Sequence, residues 1–470
     1  MMDKRIALLV ATIASFVTPF TASAVTIALP TIGKEFSMTA VALGWVATAY
    51  ILAAAVFLLP FGKAADIYGR KRLFLAGMTI YTIASVCCVF VPSAPVLIAL
   101  RVLQGIGASM TFSTGVAIVT SIVPAAERGR ALGLTTAAVY VGLSVGPVVG
   151  GILTQHFGWR SVFLVTVPLG LAVIALVVGK LKGEWAEARG EKFDLPGALI
   201  SVPSLAFIMY GFARLPSPAG AGLLLAGALG VVAFVRRELR AEHPLLHMEL
   251  FSGNRVFAFS NLAALINYSA SFAVTFLMSL YLQYIKALTP QSAGLILIAQ
   301  PAVMAGFSPF AGRLSDRIES RIVASAGMAL TAAALVSLIF LGAGTSTPVL
   351  ILNLMLLGLG FALFSSPNTN AVMGSVEPRC YGVASATLST MRMTGQMLSM
   401  GIAMLVFAVR VGDVRITPER HGAFLTSIRI DFIIFAILSV AGVFASLARG
   451  TARRCCEGGA SASPDERSGA

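Results

Sequence analysis

Of the 470 residues, 57% are hydrophobic and only 11% are charged, whereas an ordinary soluble domain carries about 25% charged residues. That balance excludes a soluble globular fold, which could not bury so much apolar surface. The formal net charge of +14 does not point to nucleic acid, because the Lys and Arg residues sit in short segments between apolar runs and form no basic stripe interleaved with aromatics.

In chain order, apolar runs near the roughly 20 residues that cross a bilayer as a helix predict spans at Ile6–Pro30, Val41–Phe61, Leu73–Val91, Val96–Ser121, Ala131–Thr154 and Ser161–Gly179. After a hydrophilic stretch come Leu195–Ala213, Ala219–Val235, Val256–Tyr284, Pro290–Phe310, Ile322–Gly342, Val349–Met373, Gly382–Val409 and Phe424–Leu447, which makes fourteen. Barrel strands would be shorter and would alternate apolar with polar residues, so the backbone must close its hydrogen bonds within helices. The fold class is all-α, a polytopic membrane protein in a lipid bilayer. Lys4, Arg5 and the triplet Ala22-Ser23-Ala24 imitate a cleavable signal, but the apolar run to Leu29 is longer than a signal core.

Charge placement checks the count. Lys4, Arg5, Lys63, Arg70 to Arg72, Arg128, Arg130, Lys180, Lys182, Arg236, Arg237, Arg240, Arg313 to Arg321, Arg379, Arg453 and Arg454 all fall on one side, which puts both termini in the cytoplasm and the chain in the plasma membrane. The stretch Arg410 to Asp431 is the exception, charged yet assigned outside. The breaks Lys180–Asp194 and Arg236–Arg255 read as linkers, and the Gly/Ser-rich residues 451–470 as a disordered cytoplasmic tail. Cys87 and Cys88 in a span, Cys380 in a loop, and Cys455 with Cys456 in the tail stand apart from the four histidines. No metal or cofactor is expected, and no acid, histidine or metal constellation of an enzyme is present.

Three local patterns stand out. "GKAADIYGRKR" (Gly62–Arg72) is echoed by "GRLSDRIESR" (Gly312–Arg321), each with an acid four residues after the glycine and basic residues behind. The glycine should allow close packing at a helix end, and the acid can bridge to an arginine. Eight spans separate the two, as expected for two parallel six-helix halves with a two-helix insert. Arg101 lies inside span four, where a charge costs about 3 kcal/mol on insertion scales and needs a partner or a wet cavity; Arg392, with Gln396 one turn on, invites the same argument. Gly142, Gly146 and Gly150 stand at i, i+4 and i+8, a face for close helix contact.

"GKAADIYGRKR" resembles the loop motif of the major facilitator superfamily, here Gly62, Asp66, Gly69, Arg70 and Lys71, with Gly312, Asp316, Arg317 and Arg321 in the echo. "RVLQGIGAS" resembles its fourth-helix motif at Arg101 and Gly105, and "GLSVGPVVGG" its antiporter motif at Gly142, Gly146, Pro147, Gly150 and Gly151. "WRSVFLVTVPLG", "FDLPG" and "ELRAEHPLL" resemble the fourteen-span second drug/H+ antiporter family. The resemblance implies an N-terminal half over 1–182, an insert over 183–255 and a C-terminal half over 256–450, rocking about a central cavity. It implies a conformational switch in the loop motif and a proton-coupling role for Arg101, with Asp66 a second candidate.

On that mapping the cavity draws on Thr21 and Thr26 of span one, Tyr50 of two, Gln104 of four and Tyr140 of five. From the other half come Asn261, Asn267 and Tyr268 of nine, Gln300 of ten, Asn368 and Asn370 of twelve, and Arg392 and Gln396 of thirteen. In the family's first-helix motif an acid stands where this chain has Thr21, so the departure bears on proton coupling more than on transport. The expectation is a monomeric exporter of amphipathic small molecules, coupled to protons; the alternative is a facilitator or exporter of a specific, anionic metabolite without proton antiport.

Overall fold

The computed structural model describes residues 2–123, 125–241, 244–246, 251, 253–376, 381–412 and 414–450, without the side chains of 2, 3, 125–130, 132, 213, 316, 381 and 382. Arg379, Cys380, His243, His247, Cys455, Cys456 and the expected disordered tail over 451–470 lie outside the described residues, as does the side chain of Asp316. Fourteen helices are long and apolar enough to cross a membrane, and among the described residues no strand occurs. Spans one to eight are Lys4–Glu35, Ala40–Tyr68, Arg70–Val89, Ala94–Ile122, Gly133–Phe157, Arg160–Gly179, Leu195–Phe212 and Pro218–Glu238. Spans nine to fourteen are Arg255–Ile285, Pro290–Ser315, Ser320–Ile339, Thr347–Gly374, Val383–Arg410 and Pro418–Leu447.

Each predicted span meets one of these helices, most of which run further than the apolar run because a helix continues through the headgroup layer, where its charged residues reach water. The largest difference is at the end of the chain. Span fourteen starts with a short turn at Pro418–Arg420 and becomes α-helical from His421, so Asp431, expected outside, lies within the span and is fully buried.

The helices form two bundles. Span one packs on five, two and three on four, and three on six; nine packs on thirteen and fourteen, and twelve on ten and eleven. Spans seven and eight pack on each other, and span seven rests on both bundles, against span two, where Trp45 meets Tyr210 at 5.9 Å, and against span thirteen, where Met209 Sδ would stand 3.1 Å from a Cβ at Gly401.

Both bundles are built on the same glycine contacts, a repeat the sequence does not advertise. A Cβ on Gly107 would stand 2.6 Å from the Gly77 carbonyl oxygen, and one on Gly327 2.6 Å from that of Gly360. Gly105 meets span two at Tyr50 and Ala53 as Gly358 meets span ten at Gln300 and Val303. Gly142 meets span one at Phe16 and Phe20 as Gly395 meets span nine at Leu265 and Ser269. Gly62 and Gly312 likewise face Ser113 and Ser366; a Cβ would stand at an ordinary 3.8 Å from Ser113 but at a tight 3.0 Å from Ser366. Gly62 therefore does not mark a tight helix end, contrary to expectation. It lies inside the span, and the helix breaks only at Gly69, whose φ of +119° strains any other residue.

Gly107→Leu should lower the melting temperature by several degrees or block folding, since its neighbours are backbone atoms that cannot yield. Gly222→Ala, which meets nothing within 4 Å, should leave the melting curve of the purified protein unchanged or slightly raised.

Candidate functional site

With an even number of spans, the start of span one and the end of span fourteen meet the same, basic face. Contacts between the bundles gather at the opposite face. Ser279 Oγ donates to the Thr26 carbonyl at 2.9 Å and Gln283 Nε2 to that of Ile27 at 2.9 Å. Gln291 N donates to Gln155 Oε1 at 3.3 Å, Arg415 Nε to the Ser37 carbonyl at 3.1 Å, and Ala40 N to the Val414 carbonyl at 3.0 Å. Lower down, Thr48 Oγ1 donates to Met404 Sδ at 3.3 Å. These side chains were not among the sequence candidates, and nothing in their local pattern separates them from other polar residues at helix ends. At this same face Glu35 accepts from Trp159 Nε1 at 2.7 Å and pairs with Arg160 at 2.7 Å, which fastens span one to span six.

The "GLSVGPVVGG" helix serves two contacts at once. Gly142, Gly146 and Gly150 lie against Phe16, Ser23 and Ala24 of span one. From its other side Gly151 abuts the backbone of Pro290 and Gln291, and Pro147 that of Gly294, all in span ten. Its small residues therefore join the two bundles as well as packing within one.

Between this closure and the basic face, four spans bring a polar cluster to the seam. Tyr140 Oη lies 3.5 Å from Ser365 Oγ across it. Arg392 Nη2 donates to Thr369 Oγ1 at 2.6 Å, and its guanidinium stands 5.8 Å from the centre of the Tyr268 ring. Tyr268 is fixed edge-on against Phe361, with ring centres 5.0 Å apart. Gln396 is half-buried on the same helix, and Asn370 is exposed and donates to Ser315 Oγ at 2.9 Å.

Among the described residues, the other cavity candidates share no hydrogen bond with this cluster. Asn261, Asn267, Asn368 and Gln104 are buried between helices, and Gln300 lies 3.5 Å from Thr275. Thr21, where the acid of the resembling family would stand, donates its hydroxyl to the Val17 carbonyl at 2.8 Å, and Thr26 likewise back-bonds to Ala22. These hydroxyls satisfy their own helix, a common use of Thr in apolar surroundings.

Arg101 has 1% of its surface exposed. Its Nε donates to the Val46 carbonyl at 3.0 Å, its Nη1 to Gln104 Oε1 at 2.8 Å, and its guanidinium lies 4.4 Å from the Tyr50 ring centre. Gln104 passes the chain on to Ser85 at 2.8 Å. The charge is thus held by dipoles and a π face, welding spans two, three and four. Asp66, the other coupling candidate, sits at the basic face, and the two are not brought together.

At that face the charges of the first motif are taken up by the linker after span six. Arg70 pairs with Asp66 and Glu187, both at 2.7 Å, and donates to Ser121 Oγ at 2.7 Å. Glu191 pairs with Lys63 at 2.6 Å, and Glu184 accepts from Lys71 N at 2.8 Å. The three glutamates were not foreseen, although their spacing opposite a basic loop was legible. The echo carries no such strap among the described residues: Arg321 pairs with Glu319 beside it, Asp316 and Arg317 close the helix just past span ten, and Gly312 packs on span twelve. Asp431 packs within the second bundle, and neither of its carboxylate oxygens has a partner among the described residues.

Comparison with known proteins gives the family context. The profile of the Major Facilitator Superfamily matches residues 11–261 and 260–454. A riboflavin transporter of Clostridioides difficile is 33% identical, covering 83% of this chain and 86% of its own length. A cephamycin export protein of Amycolatopsis lactamdurans is 31% identical, covering 95% and 93%. The fold is shared with a D-xylose–proton symporter at a TM-score of 0.66 and 13% identity, covering 94% of this chain and 97% of that one.

Gly294→Val, which drives a side chain into the Pro147 backbone, should open the face opposite the termini. A cysteine placed at Gln155 should then react with a membrane-impermeant maleimide several times faster than in the parent protein.

Proposed function

The chain belongs to the Major Facilitator Superfamily, a family of transport proteins rather than enzymes, and from that premise we propose that it exports amphipathic small molecules by alternating access in exchange for protons, as a member of the second drug/H+ antiporter family. The basic face is assigned to the cytoplasm of the plasma membrane by the excess of Lys and Arg there. The observation that carries the reading is the one-sided closure between the bundles: hydrogen bonds join them at the face opposite the basic one, the arrangement from which an exporter takes up cargo at the cytoplasmic side. Relatives that bear a riboflavin transporter's and a cephamycin exporter's names support small organic molecules as cargo.

In this reading the halves 1–182 and 256–450 rock about the seam, with 183–255 as insert. A single chain supplies both halves, so a monomer suffices. Asp66 and Arg70 form the switch at the inner face. Asp66 exchanges the coupling proton with cytoplasmic water, and Arg101 keeps span four rigid on span two so that the motion of one half reaches the loop. A second reading, facilitated export without protons, is favoured by one observation: where the resembling family has an acid, span one has Thr21, already bonded to its own helix.

The purified protein in vesicles with an internal pH dye separates the two. Under antiport, adding an anionic or a cationic dye that is transported should dissipate an imposed pH gradient, and Asp66→Asn should cut this flux at least about tenfold while dye binding persists. Dye movement with no proton flux would contradict antiport and favour the facilitator.

A further inference from the structure

The polar seam carries a charge without a counter-ion. Arg392 is half-buried, its Nη2 bonds to neutral Thr369, and its Nε has no partner among the described residues. Spans five, nine, ten, twelve and thirteen contain no Asp or Glu at all, and neither does span four. In spans one and two the acids are Glu35 and Asp66, held at opposite ends by Arg160 and Arg70. Asp431 is buried inside the second bundle, away from the seam. Among the described residues, no carboxylate of these spans is therefore placed to neutralise Arg392. A guanidinium at such a depth is stabilised by a planar anion, to which it can donate two parallel hydrogen bonds. The Tyr268 ring stands beside it, backed by Phe361, and Tyr140 of the other bundle reaches Ser365, one turn from the Arg392 partner Thr369, an arrangement suited to a flat apolar body beside the acid group.

Resting on the reading of the seam as the transport path, we infer that the cargo is an organic anion, a carboxylate or sulfonate on an aromatic body, whose acid group is bound by Arg392. Cationic amphipaths meet an unbalanced positive charge at the same place and are disfavoured. Because Tyr140 and Ser365 belong to different bundles, an anion bound at Arg392 touches both halves at the point where they part.

Equilibrium binding to the full-length purified protein tests this without reference to protons, so a failure of antiport and a failure of the substrate class are read separately. Three probes of one shape are compared: 2-naphthoate, its neutral amide 2-naphthamide, and 2-naphthylmethylammonium. The carboxylate should bind at least about tenfold more tightly than either of the others. In Arg392→Gln, checked for an unchanged gel-filtration profile and melting temperature, that preference should vanish while the amide's affinity holds within about twofold. Should R392Q not remain folded, Arg392→Lys keeps the charge but loses the planar fork, and the carboxylate alone should weaken. Equal affinity for the three probes, preference for the ammonium, a preference that survives R392Q, or a carboxylate affinity unchanged in R392K would each overturn the assignment.

Discussion

At bilayer depth no water stands ready to satisfy a polar group, and lipid tails are as apolar as the helices themselves, so helices associate where side chains are small enough for backbones to touch. The whole structure depends on that constraint. Gly77 on Gly107, Gly327 on Gly360, Gly105 on span two and Gly358 on span ten set the crossings of the two bundles. The same device joins the bundles to each other, where Gly151 and Gly294 let spans five and ten meet backbone to backbone. A contact of that kind has no side chain to interlock and no charge to separate, which suits an interface that must open and close.

Charge is distributed to match. Arg101 is consumed inside the first bundle by a carbonyl, an amide and an aromatic face, and Arg70 by two acids at the basic face. Arg392 stands at the seam with no acid paired to it among the described residues. Asp431 and Arg449 are buried in the second bundle without an ion pair among the described residues, whereas Arg392 lies where two moving parts and a cargo would meet.

Much of the architecture was legible in the sequence, because crossing a bilayer demands length and apolarity and little else. Fourteen runs became fourteen helices, and Gly142, Gly146 and Gly150 lie on one face as their spacing required. Rotation was less legible. In water a helix shows its buried side by being apolar there, whereas in lipid both sides are apolar, so the sequence did not separate the fully buried Asn267 and Asn368 from the half-buried Tyr268 and Arg392. The partners of Arg101 were hidden for a related reason: two of the three are a backbone carbonyl and a ring, which carry no charge pattern. The end of the chain misled because charge at Arg429 and Asp431 reads as aqueous, while Arg429 reaches the Leu341 carbonyl at the helix end and Asp431 turns inward.

The central claim is that the two bundles rock about the seam, closed at the outer face and free to close at the inner one. The most direct test is a pair of distance measurements by spin labels in protein freed of its five cysteines, one pair at Tyr68 and Ile318 on the basic face and one at Phe157 and Phe340 on the opposite face, all exposed. Reciprocal change on adding cargo and shifting pH, the first distance shortening as the second lengthens, is the predicted result. Distances that stay fixed, or that move in the same direction, in protein that still transports would contradict it.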